Sequence, residues 1–410
     1  MYDVAVAGGG PAGLAAALAA AAPGRRVALF EKQKKIGRRL AVTGNGRGNV
    51  GNVSVSAADY NEQAADLLRH MPGALDRLEL QRLLASYGIL TSPDEAGRLY
   101  PVSRQAASLV WTMLDLLAER RVELHTEEAL VSFVRTSPAP GAPFALRTDR
   151  ATYTAKTLVL AVGGQAQPQL GGGDSFARLL APHGYRLTET SPALAPLLTD
   201  ARLATADGVR AVAGGCLLKP DGTPLMASRG EFQLTATGVS GIAAMRLAGA
   251  VHMNKAPLRL QLDWLPDRSE ADVAAWLKQV RAIQPAREAR YLLDSLLPQK
   301  LAILLAEAIV QKGRNKDVSD AVIGRLSKEV KTTELRVVGT ADWRQAQVMR
   351  GGVALSEVDP GTLASRRQPG LFLAGEMLDV DGDTGGYNLH WAFLSGHTAG
   401  RAAAAFSRAV

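Results

Sequence analysis

The sequence predicts an α/β fold that carries an inserted β-rich domain and a helical insert. Three observations predict it. The chain opens on an apolar strand, a glycine turn and an Ala-rich helix, "YDVAVAGGGPAGLAAALAAAA". Residues 197–262 alternate short apolar runs with turns such as Pro220-Asp221-Gly222, a β-rich pattern. Residues 267–330 are helical in pattern, with Leu292, Leu293, Leu296, Leu297 and Leu301 at helical spacing.

The first element is the strand Val4–Ala7. Gly8-Gly9-Gly10-Pro11-Ala12-Gly13 follows and fits G-x-G-x-x-G, with Pro11 and Ala12 inside the turn. Gly8 permits the tight turn, Gly10 leaves room for a pyrophosphate against the backbone, and Gly13 lets helix and strand pack closely. The helix N-terminus offers free N–H groups and a partial positive charge. The second strand, "RRVALFEK", ends in Glu31 and Lys32, and Glu31 is placed to accept hydrogen bonds from a ribose diol. This is a Rossmann-like dinucleotide fingerprint. Alone it does not separate NAD from FAD.

The next segment, "KKIGRRLAVTGNGRGNVGN" at 34–52, is too glycine-rich and basic for a helix. A long loop of this kind inside a compact domain is usually functional. Its backbone N–H groups can form an anion-binding concavity, with Arg38, Arg39 and Arg47 available to phosphates or carbonyl oxygens. Thr43, Gly44, Asn45 and Asn49 belong to the same candidate surface.

Bulk properties narrow the class. The 410 residues are enough for two or three domains, and 47% hydrophobic with 21% charged residues is a soluble globular composition. Cys216 is the one cysteine, so an internal disulfide and a cysteine-rich metal site are excluded. No metal-binding spacing appears among His70, His125, His183 and His252. The N-terminus lacks the charged start and apolar core of a signal peptide, and Leu14–Ala22 and Leu301–Val310 are too short to span a bilayer. A soluble, cytoplasmic protein with no membrane partner is expected. The net charge is +8, and residues 281–331 hold ten Lys/Arg against six Asp/Glu. From charge alone this reads as a solvated helical face.

The motifs then become specific. "IGRRLAVTGNGRGN" resembles the G-R-K-L-x-x-S-G-G-G-R-C-N signature of the BaiN/RdsA-type FAD-dependent oxidoreductases, the aminoacetone oxidase family flavoproteins. "AGEMLDVDGDTGGYNLHWAFLSGHTAG" is similar to that family's C-terminal signature. "TLVLAVGG" at 157–164 and "RGGVALSEVDPGTLAS" at 350–365 stand in the expected order. Two positions depart from the pattern: Gly48 stands where the family's cysteine is usual, and His390 where glutamine is common. Any mechanism that needs that thiol is closed to this chain.

The resemblance implies a glutathione-reductase-like FAD-binding domain, discontinuous over 1–190 and 346–410. The β-rich substrate domain is then 191–266 and 331–345, with 267–330 the helical insert. It implies that strand "GLFLAGE" returns beneath the flavin's pyrophosphate and ribityl chain. Gly375 permits the approach, and Glu376 or a following aspartate, Asp383 among them, bonds ribityl hydroxyls. Gly385, Gly386, Tyr387 and Asn388 then begin a helix whose N-terminus faces the flavin's pyrimidine edge and favours the anionic reduced form. Ala129 or Leu130 meets adenine by backbone, and Ala161, Gly163 and Gly164 end a buried strand at the nucleotide.

His390 and Tyr387 are the candidates for proton transfer beside the ring. For His390 the sequence leans toward a structural hydrogen bond or packing. There is no second strand–GxGxxG–helix unit, so NAD(P)H would dock transiently as reductant; otherwise the substrate donates hydride and oxygen accepts. The leading expectation is oxidoreduction of a small-molecule organic substrate. The alternatives are reduction of uracil in ribosomal RNA, and a non-catalytic flavoprotein or RNA-binding factor.

Overall fold

A computed structural model of the chain describes residues 1–139, 141–252, 254, 257–310 and 318–410. It divides into two compact units, Met1–Ser191 with Gln347–Val410, and Pro192–Ala346.

The first unit begins with β1 (Tyr2–Ala7), α1 (Pro11–Ala20) and β2 (Val27–Glu31), with β1 and β2 parallel. α1 is apolar all round and buried along nearly its whole length, as a helix inside a layered α/β core must be. The basic segment that follows is not all loop. α2 (Arg38–Val42) forms within it, because Gly37 takes a left-handed conformation (φ 72°) that starts the turn and the next five residues contain no glycine. The small sheet β3 (Gly51–Asn52), β4 (Thr91–Pro93) and β5 (Arg98–Pro101) comes next, with α3 (Glu62–His70) and α4 (Glu79–Ser86) between its first two strands. After α5 (Ala106–Glu119) come β6 (Glu123–Thr126), β7 (Leu130–Arg135), β8 (Phe144–Thr148) and β9 (Thr152–Leu160), then α6 (Ser175–Leu180); β10 (Ser191–Ala193) carries the chain from the first unit into the second.

The second unit is a closed six-stranded barrel with helices packed on it. Its strands are β11 (Leu197–Thr199), β12 (Arg210–Leu218), β13 (Pro224–Thr235), β14 (Gly238–Ser240), β15 (Leu258–Asp263) and β16 (Thr333–Thr340), in the order β11-β14-β13-β12-β15-β16. α7 (Ile242–His252) lies between β14 and β15, and α8 (Glu270–Ile283), α9 (Gln299–Ile309) and α10 (Asp320–Lys331) between β15 and β16. Phe232 lies where a side chain at Gly215 would stand, at 2.4 Å, so the barrel needs a glycine there. The segment 267–330, read from sequence as an insert of its own, shares one core with the barrel: Phe232, Leu260 and Leu335 pack with Leu277, Leu293, Leu301 and Ile323. Its residues 311–317 lie outside the described residues. The amphipathic helices bury their apolar stripes on the barrel, and neither part closes a core alone.

The chain then returns to the first unit as β17 (Val348–Arg350), β18 (Leu371–Leu373) and α11 (Tyr387–Ala409). The main sheet is β6-β2-β1-β9, all parallel. β9 divides its far edge: Leu158–Leu160 pairs with β18 in parallel, and Thr152–Ala155 pairs antiparallel with β8, which leads to β7. α11 lies directly on α1. A side chain at Gly396 would sit 2.0 Å from the Ala12 carbonyl, and one at Gly400 2.2 Å from that of Ala16. Gly396-x-x-x-Gly400 against Ala12-x-x-x-Ala16 lets the two backbones touch, which binds the chain's end to its beginning. Among the described residues, no helix is long and apolar enough to cross a membrane.

Candidate cofactor site

The glycine turn, Glu31, the loop after β9 and the loop after β18 all lie at the carboxyl ends of parallel strands, where open α/β sheets bind ligands. Gly8 (φ 108°) turns so tightly that a β-carbon would meet the Ala161 carbonyl at 2.3 Å, and one at Gly13 would meet the Gly8 carbonyl at 1.7 Å. Gly10 is different: a β-carbon there meets no protein atom within 4 Å. Gly10 caps α1 by backbone alone, and Pro11 takes the first helical position, where a missing N–H costs nothing. Glu31 Oε2 accepts from the Gly9 N–H at 2.7 Å and its Oε1 from the Gln33 N–H at 2.7 Å, so turn and acid hold each other. Burial lowers the Lys32 ammonium below its ordinary pKa, and its Nζ stands 3.5 Å from the β-carbon position of Gly173.

The return loop is fixed on the same turn. Gly375 (φ 76°) sits over Ala12, where a β-carbon would approach the alanine methyl to 2.8 Å. Its N–H donates to Ser395 Oγ at 3.0 Å and its carbonyl accepts from Trp391 Nε1 at 3.1 Å, both from α11. Glu376 follows. Arg39 donates to it twice, Nη1 to Oε2 at 2.5 Å and Nη2 to Oε1 at 3.1 Å. The Gly164 N–H donates to Oε2 and the Met349 N–H to Oε1, each at 3.1 Å. Burial alone would raise the Glu376 carboxyl; the Arg39 guanidinium and the two backbone donors outweigh it and hold it below the usual range.

Glu376 is thus engaged by the protein itself. A carboxylate has about four lone-pair sites, and protein donors take all four, leaving none for ribityl hydroxyls. The aspartates after it are also engaged. Asp379 accepts from Asn61 Nδ2 at 3.2 Å and Thr188 Oγ1 at 2.9 Å. Asp381 pairs with Arg350, Nη2 to Oδ2 at 3.1 Å. Asp383 Oδ1 accepts from the Thr384 N–H at 2.5 Å. Asn388 closes the loop on itself, accepting from the Gly382 N–H at 2.9 Å and donating to the Gly382 carbonyl at 2.7 Å.

α11 starts against the basic loop. Gly386 (φ 104°) is its cap, with no side-chain hydrogen bond, and a β-carbon there would strike the Gly51 carbonyl at 2.4 Å and Asn49 Oδ1 at 2.5 Å. Asn49 Oδ1 is buried and has no hydrogen-bond partner among the described residues. Thr43 ends α2, and Gly44, Asn45, Gly46 and Gly48 all adopt positive φ. The concavity expected of this loop is partly turned inward. The Gly46 and Gly48 N–H groups donate to the Thr43 carbonyl and that of Arg47 to Gly44. Arg38 donates to Gln33 Oε1 at 2.6 Å and to the Gln169 carbonyl at 3.3 Å.

Tyr387 and His390 are both buried. Tyr60 donates to the Tyr387 carbonyl at 3.0 Å and meets its ring edge-on. His390 is 1% exposed, and neither ring nitrogen has a hydrogen-bond partner among the described residues. Burial pushes its pKa down to about 4, with the Ala74 backbone opposing the shift. Enclosed behind Gly51 with no partner at either ring nitrogen among the described residues, the imidazole has the surroundings of a packing residue.

On the adenine side, the Ala129 N–H donates to Asp149 Oδ1 at 3.0 Å and its carbonyl accepts from the Asp149 N–H at 3.1 Å, so Asp149 engages both. Leu130 pairs with Thr148. Ala161 backs the Gly8 turn, Gly163 (φ 73°) stands beside Glu376 and Arg39, and Gly164 donates to that pair. Sequence reasoning missed Gln33, Met349, Trp391 and Ser395. Trp391 and Ser395, four residues apart on one helix face, carried a usable signal; the backbone role of Met349 left none.

The residues fit an FAD. Gly10 leaves space where phosphate approaches, α1 and α11 present helix N-termini with no side-chain cap, and Asn49 presents an unmatched buried acceptor. Gly8–Gly13 and Glu31 would hold the ADP half, and Gly163, Gly375 and the start of α11 the flavin half. Bound there, FAD supplies hydride acceptance and donation.

The family model for the HI0933-like protein Rossmann domain matches residues 2–402. The 3-dehydro-bile acid delta(4,6)-reductase of Clostridium scindens is 32% identical, over 98% of this chain and 99% of its own. The ribosomal RNA dihydrouridine synthase of Haemophilus influenzae is 27% identical, over 96% of each chain. Among solved structures, the 3-ketosteroid delta1-dehydrogenase of Sterolibacterium denitrificans shares the fold at a TM-score of 0.53 and 14% identity, covering 98% of this chain and 99% of that one. The fold expected from sequence is the fold observed, and the chain belongs to the HI0933-like family of FAD-dependent oxidoreductases.

Proposed function

We propose that this enzyme uses NAD(P)H to reduce a carbon–carbon double bond conjugated to a carbonyl in a small organic substrate. The observation that carries the redox part is the joined site, in which Gly8–Gly13 and Gly375 meet at Ala12. The printed names of two relatives support the substrate class. A 3-dehydro steroid with Δ4,6 double bonds and a uridine both present an alkene conjugated to a carbonyl. Such a bond takes hydride at its far carbon and a proton at the carbon next to the carbonyl. The two electrons come from the nicotinamide, and the proton from solvent or a side chain. The 32% identity to the bile-acid enzyme, and a glycine where the family's cysteine is usual, favour a small substrate.

A second reading, reduction of uracil in ribosomal RNA, is favoured by the basic segment 281–331 and by the dihydrouridine synthases. Anaerobic mixing tests the first. NADH or NADPH should bleach the flavin, and a conjugated enone should restore its colour. Restoration by a uracil-containing ribosomal RNA fragment alone, with binding that weakens steeply in salt, would favour the second.

A further inference from the structure

Arg47 and Arg104 stand over the same aromatic ring. The Arg47 guanidinium carbon lies 5.5 Å from the Tyr100 ring centre and that of Arg104 4.6 Å from it. Tyr100 itself is 2% exposed, so the two cations cover a buried ring while both remain at the surface. Among the described residues, neither arginine has a carboxylate within ion-pair distance. Two exposed guanidinium groups with no carboxylate beside them are each able to match an anion.

The pair is built, not incidental to a loose surface. Arg104 holds a left-handed backbone (φ 53°), unusual for a non-glycine residue, and its N–H donates to the Pro101 carbonyl at 2.8 Å. Arg47 is carried by the loop whose next residues, Gly48 and Asn49, pack on Ala106 and Gly386. The Gly46 carbonyl accepts from the Ala106 N–H at 2.7 Å, which ties that loop to the segment bearing Arg104. Near them in sequence, Val42 and Val102 leave apolar side chains exposed.

We infer that Arg47 and Arg104 form a phosphate-recognition site, the place where the reducing nicotinamide dinucleotide docks. This rests on the NAD(P)H reading above. The chain has one dinucleotide fingerprint and the cofactor site uses it, so the reductant needs a surface of another kind. Exposed cations suit a dinucleotide that binds, delivers hydride and leaves. Exposed charges bind weakly and in a salt-dependent way, which matches a transient partner.

The test uses FAD-loaded wild-type enzyme, R47Q, R104Q and the double variant. Anaerobic flavin bleaching is followed against NADPH and NADH concentration, with dithionite as a reductant that needs no docking. The double variant should need about tenfold more NAD(P)H for half-maximal rate, on the scale of one charge-assisted contact. R104Q, at a residue outside the basic loop of the cofactor site, should keep its FAD, its limiting rate and its bleaching by dithionite. A loss confined to NADPH assigns the pair to the 2′-phosphate, and an equal loss with NADH assigns it to the pyrophosphate. Unchanged saturation in variants of a wild type that NAD(P)H does bleach overturns the docking site alone. A wild type that neither dinucleotide bleaches overturns both this site and the reductant reading. Loss of FAD from R104Q, or loss of oligoribonucleotide binding with NADPH saturation unchanged, also overturns the assignment.

Discussion

Arg39 and Glu376, 337 positions apart, meet in a two-pronged ion pair that joins the basic loop to the returning strand. Removing one partner leaves the other charge partly buried and unmatched. Glu376→Gln should therefore destabilise the enzyme by about 3 kcal/mol or more, since breaking such a pair costs more than the pair is worth. Arg39→Met with Glu376→Met should be milder than the single change. Denaturant unfolding of the three proteins checks this.

Gly10→Val should fold and fail to hold flavin. The backbone there (φ −78°, ψ −177°) suits valine, and the new side chain meets no protein atom, only the space kept for phosphate. A soluble, cooperatively unfolding, colourless variant is the expected outcome. Flavin content measured by absorbance decides it.

Gly48→Cys restores the residue usual in the family and should still cost stability. Gly48 has φ +82°, and a β-carbon would stand 3.1 Å from the Ala106 Cα. A left-handed non-glycine costs about 1–2 kcal/mol. Turnover should not rise. Unfolding midpoints and initial rates for the two proteins give the answer.

His390 sets an acid limit. Its pKa falls from 6.5 unfolded to about 4 folded. The folded state thus binds fewer protons in that window, so stability is full above pH 6.5 and declines as pH falls toward 4. The loss amounts to about 3 kcal/mol by pH 4, at about 1.4 kcal/mol per unit. His390→Gln should flatten that acid limb while turnover near neutrality stays within a few-fold of wild type. A rate loss of two orders of magnitude with FAD retained would make the imidazole catalytic.

The first 31 residues were the most legible part of the chain. Gly8, Gly10 and Gly13 each answer a local demand, so their spacing alone announces the turn. The basic segment was only half legible: its glycines marked the left-handed run at 44–48 but hid the five-residue helix before it. The donors around Glu376 were not legible, because they come from Arg39, Gly164 and Met349, which no local pattern connects. The closed barrel was read only as β-rich, because alternation marks a half-buried strand but not which strands pair. Gly396 and Gly400 carried a visible spacing whose partner, Ala12 and Ala16, lies at the other end of the chain.

The central claim is that both ends of the chain build one FAD site. The most direct measurement is the identity and amount of flavin released when the purified protein is denatured. One FAD per chain is the expected result. Release of FMN alone, or a colourless protein that takes up no added FAD, would contradict it.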